Sequence, residues 1–349
     1  MPIQVLQLGP YPPPEGGITR NLLAINERLL ERGDRCSIIA TSKSTCIDSK
    51  PDVHHPRSAA ELISLIRKID HDILHLHVGG DITRRVLSLM VAAAALGKRP
   101  VLSFHSGGYP QTAEAQRARP NTARGRIFRQ FSRIIVMNDE LGDVFRRYGV
   151  PDERVAVIAP FALVPPDPIA KLPDAVAEFA GSHSPLLVSV GGLEPDYEPL
   201  FLIEAMDGIR NQDPDAGLLI VGGGTMAAQT EAALARSGYS DAICLAGGLT
   251  HDQTLHLIAE ADAMLRITLF DGDAISVREA LFVGTPVIAT DNGMRPAGVT
   301  LTSRGDIDQL VLNIRKVISA SPIRPTVLTP DHSNIDKVLA LYDELLRDV

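Results

Sequence analysis

The hydrophobic pattern alternates between short apolar runs and longer amphipathic stretches along most of the chain. Runs rich in Val, Ile and Leu, such as IQVLQLG (3–9) and DILHLHV (72–78), predict buried strands. Stretches such as ITRNLLAINERLLERG (18–33), with apolar residues at helical spacing and a glycine stop, predict helices. This alternation with continuous apolar strands is typical of α/β proteins, in which helices cover both faces of a parallel sheet.

The alternation is interrupted once, between Leu163 and Pro185. The stretch LVPPDPIAKLPDAVAEFAGSHSP is rich in proline and polar residues, which is typical of a linker. Strand–helix alternation then restarts with runs such as LLVSVGG and GLLIVGG. We therefore predict an N-terminal domain over 1–165, a linker over 166–185, a C-terminal domain over 186–325, and a last amphipathic helix within 326–349 that returns to the first domain.

Each of the two domains is predicted to be a doubly wound parallel sheet, and a length of 349 residues suits two domains of common size. Ligands of such sheets bind outside the carboxyl ends of the strands, where loops enter helices. Two such sheets facing each other would line a cleft from both sides, and clefts between domains are common ligand sites.

Composition and charge disfavour several classes of function. The net charge of −8 argues against nucleic acid as the main partner. The three cysteines are scattered, and the chain has neither His-Glu-x-x-His nor Cys-x-x-Cys, so we expect a cytoplasmic location and neither a metal site nor a bound cofactor. The longest uncharged apolar run, Val86–Gly97, is too short to cross a bilayer, and the N-terminus reads as a first strand rather than a leader.

The stretch RARPNTARGRIFRQFSR, Arg117–Arg133, has only basic residues among its charged ones and carries Phe128 and Phe131. Two interpretations stay open. It could be the solvated face of a helix, or it could be a patch that meets anionic lipid at the inner membrane face or a phosphorylated acceptor.

An acidic loop enters a helix-like stretch in ITLFDGDAISVREALFVGTPVIATD, Ile267–Asp291. We predict Asp273 as the N-cap of this helix. The first backbone N–H groups of the helix would then have no intrahelical partner and would point along its positive dipole end, which suits a diphosphate. These groups belong to Ala274, Ile275 and Ser276.

Two acidic side chains flank this predicted anion site. Glu279 would lie about 7–8 Å further along the helix at 1.5 Å per residue, where its carboxylate can accept hydrogen bonds from a diol such as a ribose. Asp271 would face the other side of the phosphates, toward a donor sugar. The alternative is that acidic residues are simply favoured near helix starts and that Glu279 faces solvent.

The same stretch resembles the signature of retaining glycosyltransferases of the GT-B fold, family-4 type, in which E-G-F-G-x-x-x-x-E-A is followed by G-x-P-V. This chain has Asp271-Gly272, then Glu279-Ala280, then Gly284-Thr285-Pro286-Val287. The resemblance implies two Rossmann-like domains facing across a cleft, the first for the acceptor and the second for the nucleotide-sugar. It also implies that Glu279 binds the nucleotide ribose, that Asp271 replaces the first glutamate near the donor sugar, and that Gly272 belongs to the donor loop.

Further stretches resemble motifs of that family. Gly16-Gly17 match its first strand-to-helix loop, where glycines let the backbone approach the phosphates and the acceptor. VLSFHSGG resembles its central histidine, which implies that His105 hydrogen-bonds the donor sugar or the leaving oxygen, with a structural histidine as the alternative. VGGG, which contains Gly223, and LAGGL resemble loops whose backbone contacts the base. His75 and His77 match another family feature, and we interpret them as structural.

One departure concerns the diphosphate. The family usually reads G-R-L-x-P-E-K-G after the first strand of its second domain, and the Arg and Lys hold the diphosphate. Here VGGLEPDYEPLFLIEA has Gly192, a predicted donor-binding position, in place of the Arg and Tyr197 in place of the Lys. Other cations would have to stabilise the leaving group. Arg266, Arg278 and Arg295 border the signature, and Arg266 is the substitute we favour.

The residues and the resemblance together predict a metal-independent, retaining glycosyltransferase. It would transfer sugar from a UDP-, GDP- or similar nucleotide to a glycan or lipid-linked acceptor in surface-polysaccharide assembly. Its catalytic residues would be His105, Asp271 and Arg266, without a covalent nucleophile. Because the Arg and Lys are missing, a second hypothesis stays open, namely a catalytically weak binding or scaffold subunit of a polysaccharide-assembly complex. A dinucleotide enzyme is disfavoured because no G-x-G-x-x-G follows the first strand.

Overall fold

The chain folds into two compact units, each built on one parallel sheet. The structure, a computed structural model, describes residues 2–12, 16–42, 50–269, 271, 273–320 and 324–347. The first unit comprises Met1–Ala162 with Asp331–Val349, and the second unit comprises Leu163–Pro330. The predicted α/β fold with two Rossmann-like parallel-sheet domains is confirmed.

The first unit contains a sheet whose strands are β1 (Gln4–Gly9), β2 (Arg35–Ala40), β3 (Val53–His54), β4 (Ile73–Val78), β5 (Val101–Phe104), β6 (Arg133–Val136) and β7 (Val155–Val157). Their order across the sheet is β3-β2-β1-β4-β5-β6-β7, and all pairs are parallel. The helices between them are α1 (Gly17–Glu31), α2 (Ala59–Lys68), α3 (Arg84–Leu96), α4 (Ala113–Gln116), α5 (Ala123–Phe128) and α6 (Asp139–Arg147). The chain changes direction across the sheet between β1 and β4, which is where such folds bind ligands.

The second unit repeats this plan. It begins with helix α7 (Asp174–Ser182), and its strands are β8 (Leu186–Val190), β9 (Gly217–Val221), β10 (Ile243–Gly247), β11 (Ala263–Arg266), β12 (Val287–Thr290) and β13 (Val299–Thr302). They form a parallel sheet in the order β10-β9-β8-β11-β12-β13. The other helices are α8 (Pro199–Arg210), α9 (Ala227–Ser237), α10 (His251–Glu260), α11 (Ile275–Val283) and α12 (Ile307–Ser319). The switch point lies between β8 and β11.

Burial on both faces of each sheet explains why the strands read as continuous apolar runs. In β1, Leu6 and Leu8 point to one face of the sheet and belong to one hydrophobic cluster. Val5 points to the other face and belongs to a second cluster, together with Leu22 and Ile25 of α1. Successive side chains of a strand point to opposite faces. A strand covered by helices on both faces therefore needs apolar residues at nearly every position.

The last described helix, α13 (Ser333–Arg347), belongs to the first unit. Its Ile335 and Tyr342 are fully buried in the cluster that contains α1. Two partly exposed ion pairs, Arg28–Asp336 at 2.7 Å and Arg32–Asp343 at 2.9 Å, join the same two helices. Such pairs contribute at most about 1 kcal/mol each, so apolar burial is the main force that holds this helix.

The stretch predicted to be a linker, 166–185, differs from that prediction in part. Asp174–Ser182 is helical, and the Val176 side chain is buried in the second unit's core. The proline-rich composition of the residues before it concealed a short amphipathic helix. Burial of its apolar face attaches this part of the stretch to the second unit.

The basic stretch 117–133 is also different from the single helix that its composition suggested. Only Ala123–Phe128 is helical, because Pro120 interrupts the backbone just before it. Phe128 and Phe131 are 0% exposed and pack in the core, so they are not part of a surface patch. Among the helices of the described residues, none has both the length and the apolar character needed to span a bilayer.

Candidate functional site

The candidate site in the second unit begins where β11 leads into α11. The helix starts at Ile275, with Ala274 in the N-cap position and no side-chain capping bond. The prediction that Asp273 caps the helix is wrong, since its carboxylate accepts two hydrogen bonds from Arg278, at 2.7 and 3.0 Å. The guanidinium of Arg278 offers the Asp273 carboxylate stronger, charge-assisted hydrogen bonds than the backbone amides at the helix start do. The backbone N–H groups of Ile275 and Ser276 lie in the first turn of the helix, where an N–H group has no carbonyl partner within the helix.

Asp271 forms the centre of a buried ionic cluster just before this helix. Its carboxylate accepts hydrogen bonds from Arg266 Nε at 2.8 Å, Arg266 Nη2 at 3.2 Å and Arg295 Nη1 at 2.7 Å. Arg295 also donates to Thr268 Oγ1 at 2.8 Å and to the Thr290 carbonyl at 3.1 Å. Two guanidiniums and one carboxylate leave one excess positive charge beside the start of α11.

Charge pairing lowers the pKa of Asp271. The side chains of Arg266, Asp271 and Arg295 are 8%, 10% and 3% exposed. Burial would raise the pKa of Asp271, but the charges and hydrogen bonds of Arg266 and Arg295 outweigh it and hold that pKa below its ordinary value. The carboxylate is therefore ionised near neutral pH.

Arg266 lies beside the loop after β8, in which the Arg and Lys expected from the family resemblance are missing. Its Nη1 donates to the Val190 carbonyl at the end of β8, and its guanidinium carbon lies 4.8 Å from the centroid of the Tyr197 ring. A Cβ atom on Gly191 would lie 3.2 Å from Arg266 Nη1 and 2.4 Å from the Tyr197 ring. The guanidinium thus stacks on the residue that stands in place of the Lys. Of the three candidate arginines, Arg266 and Arg295 meet on Asp271, whereas Arg278 pairs with Asp273.

Glu279 lies on α11 and is only 5% exposed, so the interpretation in which it faces solvent is wrong. Its Oε1 lies 2.6 Å from Nε2 of His251, the first residue of α10. Sequence reasoning missed His251. The capping box of Thr250 and Gln253 is a local signal that places this histidine in the first turn of α10, but its pairing with Glu279 depends on how α10 packs against α11.

The loops after β8 and β9 are held together by backbone contacts. Leu193 N donates to the Gly223 carbonyl at 3.0 Å, and Gly191 N donates to the Val221 carbonyl at 2.9 Å. Gly222 has φ +132°, and a Cβ there would lie 1.7 Å from the Gly191 carbonyl oxygen. Gly222, which belongs to the predicted VGGG loop but was not itself a predicted site residue, therefore requires glycine. The predicted positions Gly192 and Gly223 lie in these loops, and a Cβ would meet nothing closer than 3.4 Å at either.

The remaining predicted residues lie in the first unit or outside the described residues. Gly16 is the N-cap of α1 with φ −163°, and Gly17 begins that helix after β1. A Cβ on Gly16 would meet nothing within 4 Å, so the fold itself does not require glycine there. Gly272 lies outside the described residues.

His105 directly follows β5, and its backbone N donates to the Val78 carbonyl at 2.7 Å. His75 and His77 on β4 are 0% and 2% exposed, as expected of packed residues. His77 Nδ1 nevertheless lies 3.4 Å from His105 Nε2. Burial lowers the pKa of His75 to about 3 and that of His105 to about 4, so both rings are neutral near pH 7.

The described residues hold no group of three or more His, Cys, Asp or Glu side chains that could bind a metal ion. What the second unit does provide is a helix start, two buried guanidiniums around one carboxylate, and a second buried carboxylate within α11. This arrangement can bind an anion at the helix start and hydrogen-bond hydroxyl groups on either side of it.

Comparison with known proteins identifies the family. Residues 15–162 match the model of Glycosyltransferase Family 4, and residues 176–324 match that of Glycosyl transferases group 1. The 2-deoxystreptamine glucosyltransferase of Streptomyces kanamyceticus is 23% identical over 276 residues, which cover 74% of this chain and 71% of that protein.

Solved structures of similar fold agree with this match. A glycosyltransferase from Rickettsia africae superposes with a TM-score of 0.69 at 14% identity, covering 100% of both chains. Anabaena Alr3699/HepE, in complex with UDP-glucose, superposes with a TM-score of 0.67 at 14% identity, covering 99% of this chain and 100% of that one. Two family matches that together span most of the chain, and a fold that agrees with them, show that this protein belongs to the group 1 glycosyltransferases of the GT-B fold.

Proposed function

We propose that this protein transfers a sugar from a nucleoside diphosphate sugar, such as a UDP- or GDP-sugar, to a glycan or lipid-linked acceptor, with retention of anomeric configuration and without a metal ion. The observation that carries the proposal is the excess positive charge of Arg266 and Arg295 beside the start of α11. A diphosphate is the ligand group that this combination of free amides and guanidiniums would bind best. The complex of Alr3699/HepE with UDP-glucose supports the same class of donor.

In the proposed reaction, the bond between the anomeric carbon and the diphosphate oxygen breaks, and its electron pair leaves with the diphosphate. The acceptor oxygen forms the new bond on the same face of the sugar, and its proton passes to the departing phosphate oxygen. Arg266 and the first amides of α11 would stabilise the charge that develops on the phosphate. Holding the donor and the acceptor in a fixed geometry would lower the entropic cost of the reaction.

The two carboxylates would bind the hydroxyl groups of the donor. Oδ1 of Asp271 accepts one hydrogen bond and Oδ2 accepts two. Because a carboxylate can accept about four, Oδ1 retains room for a hydroxyl of the donor sugar. Glu279 would accept from the ribose, and its contact with His251 would hold its carboxylate in place.

Calorimetry with a panel of nucleotides tests this proposal. We expect UDP or GDP to bind, and we expect Glu279→Gln to weaken that binding by about tenfold to a hundredfold, because it removes a charged hydrogen-bond acceptor. Glu204→Gln, on the exposed face of α8, is the matched control and should bind as the wild type does. Wild-type protein that binds no nucleotide would contradict the proposal and favour the scaffold hypothesis.

For the acceptor, we propose that the exposed arginines of the basic stretch meet an anionic surface, as a role in surface-polysaccharide assembly at the inner membrane face would require. Arg117, Arg119 and Arg126 are exposed. Arg124 and Arg129 instead donate to backbone carbonyls of the first unit, at 3.2 Å in each case. The exposed set is therefore the part that can bind a partner.

Sedimentation with vesicles containing phosphatidylglycerol tests this surface. Each arginine near an anionic membrane contributes about 1 kcal/mol, so replacing Arg117, Arg119 and Arg126 by Ser should weaken binding by about a hundredfold at low salt. The control changes the same amount of charge elsewhere, by replacing the exposed Arg57, Arg67 and Arg236 with Ser. Equal binding of the two triple variants would rule out a specific role for the basic stretch.

A further inference from the structure

A chain of buried and half-buried hydrogen bonds leads from β1 to the candidate residue His105. Gln7 on β1 is 0% exposed, and its Oε1 lies 3.0 Å from His77 Nε2 on β4. His77 Nδ1 in turn lies 3.4 Å from His105 Nε2. The rings of His77 and His105 are nearly parallel, with an interplanar angle of 20°. Neither Gln7 nor His77 is part of the donor-binding groups described above.

The surroundings of Gln7 decide which end of its amide faces His77. Gln7 Nε2 lies 3.1 Å from the Leu22 carbonyl oxygen, which can only accept a hydrogen bond. Its second amide hydrogen points to Cys36 Sγ at 3.3 Å. A reversed amide would set two acceptors against each other and leave buried donors unsatisfied, at a cost of about 1–3 kcal/mol for each group. The amide oxygen therefore faces His77.

This orientation determines where His77 carries its proton. Burial lowers the pKa of His77 well below its ordinary value, so the ring is neutral and holds a single proton. The Gln7 oxygen accepts only, so the proton of His77 lies on Nε2 and its Nδ1 is an acceptor.

The same logic extends to His105. Its ring is neutral because burial lowers its pKa to about 4. His77 Nδ1, an acceptor, lies 3.4 Å from His105 Nε2, and these two atoms form a hydrogen bond only if His105 donates, which places its one proton on Nε2. The Nδ1 atom of His105 is then left as the ring's only acceptor.

We propose that Gln7 and His77 are positioning residues that hold His105 in the tautomer protonated at Nε2. This inference rests on the proposed function, for which the sequence predicts His105 as a catalytic residue, and it deepens that function by adding two positioning residues. In this tautomer Nδ1 of His105 can accept a hydrogen bond but cannot donate one.

Nitrogen-15 NMR of the nucleotide-free protein, labelled at histidine, reads the tautomer directly. His105 is assigned by comparison with His105→Gln. We expect the wild type to show a protonated Nε2 and a bare Nδ1 at His105. Gln7→Met removes the acceptor oxygen, so we expect both tautomers of His105 to be populated in that variant. We also expect its kcat/KM for a UDP-sugar to fall by about fivefold to tenfold, the effect of one lost hydrogen bond, while its affinity for UDP alone is unchanged.

Tyr342→Phe is the matched control, because it removes the 2.5 Å contact to Nδ1 of the equally buried His75, which lies outside this chain of bonds. It should leave the His105 spectrum unchanged. His105 protonated at Nδ1 in the wild type would overturn the inference even if Gln7→Met failed to fold. A Gln7→Met spectrum identical to that of the wild type would overturn it too. The NMR spectra are recorded without a donor. A protein that binds no nucleotide would therefore overturn the proposed function, but the spectra would still show which nitrogen of His105 carries the proton.

Discussion

Arg266→Met is expected to slow the proposed transfer reaction, measured as nucleoside diphosphate release from a nucleotide-sugar such as UDP-glucose, by about a hundredfold to a thousandfold, the effect of removing one preorganised group that stabilises developing charge. Arg266 stacks on Tyr197 and lies beside Gly191. Both of these residues belong to the stretch in which the family resemblance predicts phosphate-binding cations. Arg295 remains in this variant and still neutralises Asp271. The loss should therefore appear mainly in turnover.

Arg278→Met is the matched control for this experiment. Arg278 lies in the first turn of α11 but pairs with Asp273, and its side chain is 34% exposed. We expect its initial rate to stay within about threefold of the wild type, because partly exposed ion pairs contribute little. Thermal unfolding of both variants shows whether a loss of rate reflects lost folding. A folded Arg266→Met protein with wild-type turnover would remove Arg266 from the proposed mechanism.

Asp271→Asn is expected to destabilise the folded chain by about 3–5 kcal/mol, since it leaves two buried guanidiniums without their counter-ion. Arg266 and Arg295 both point to this carboxylate, at 2.8 and 2.7 Å. A diphosphate would restore negative charge next to them. Added UDP should therefore raise the unfolding temperature of Asp271→Asn by more than it raises that of the wild type.

Two further measurements make this prediction specific. Asp273→Asn breaks the more exposed pair with Arg278 and should cost at most about 1 kcal/mol. Because the pKa of Asp271 is held below its ordinary value, its stabilising effect is complete above about pH 4 and is lost as the pH falls through the lowered pKa. Asp271→Asn should therefore lose less stability than the wild type as the pH falls below about 4, because it has no carboxyl to protonate at this position. Equal stability of Asp271→Asn and the wild type at pH 7 would contradict a counter-ion role.

Sequence patterns were reliable for the architecture because helix and strand periods are local properties of the chain. The continuous apolar run of β1 is explained by helices on both faces of its sheet, and the amphipathic run of α1 by one buried face. Local patterns misjudged α7, because proline-rich neighbours masked its apolar face, and they misjudged the surroundings of Phe128 and Phe131, because arginines dominate that stretch. In each case burial outweighed composition.

For the candidate site, too, the sequence predicted some features and could not decide others. Spacing predicted Asp271, Glu279 and the helix that carries Glu279 as parts of the site, and the family match supports the wider resemblance. Spacing could not choose among Arg266, Arg278 and Arg295, because each is long enough to reach more than one carboxylate. It also assigned Asp273 to the helix cap, whereas Arg278 takes that carboxylate.

By itself, the sequence determined that the protein has two parallel α/β sheets, that it is similar to GT-B glycosyltransferases, and that its expected Arg and Lys are replaced by Gly192 and Tyr197. Only the tertiary structure decided which arginines surround Asp271, that His251 meets Glu279, and that Gln7 reaches His105 through His77. The physical reason is that periodicity and caps depend on neighbours within a few positions. Ion pairs and proton positions depend instead on groups that packing brings together from distant parts of the chain.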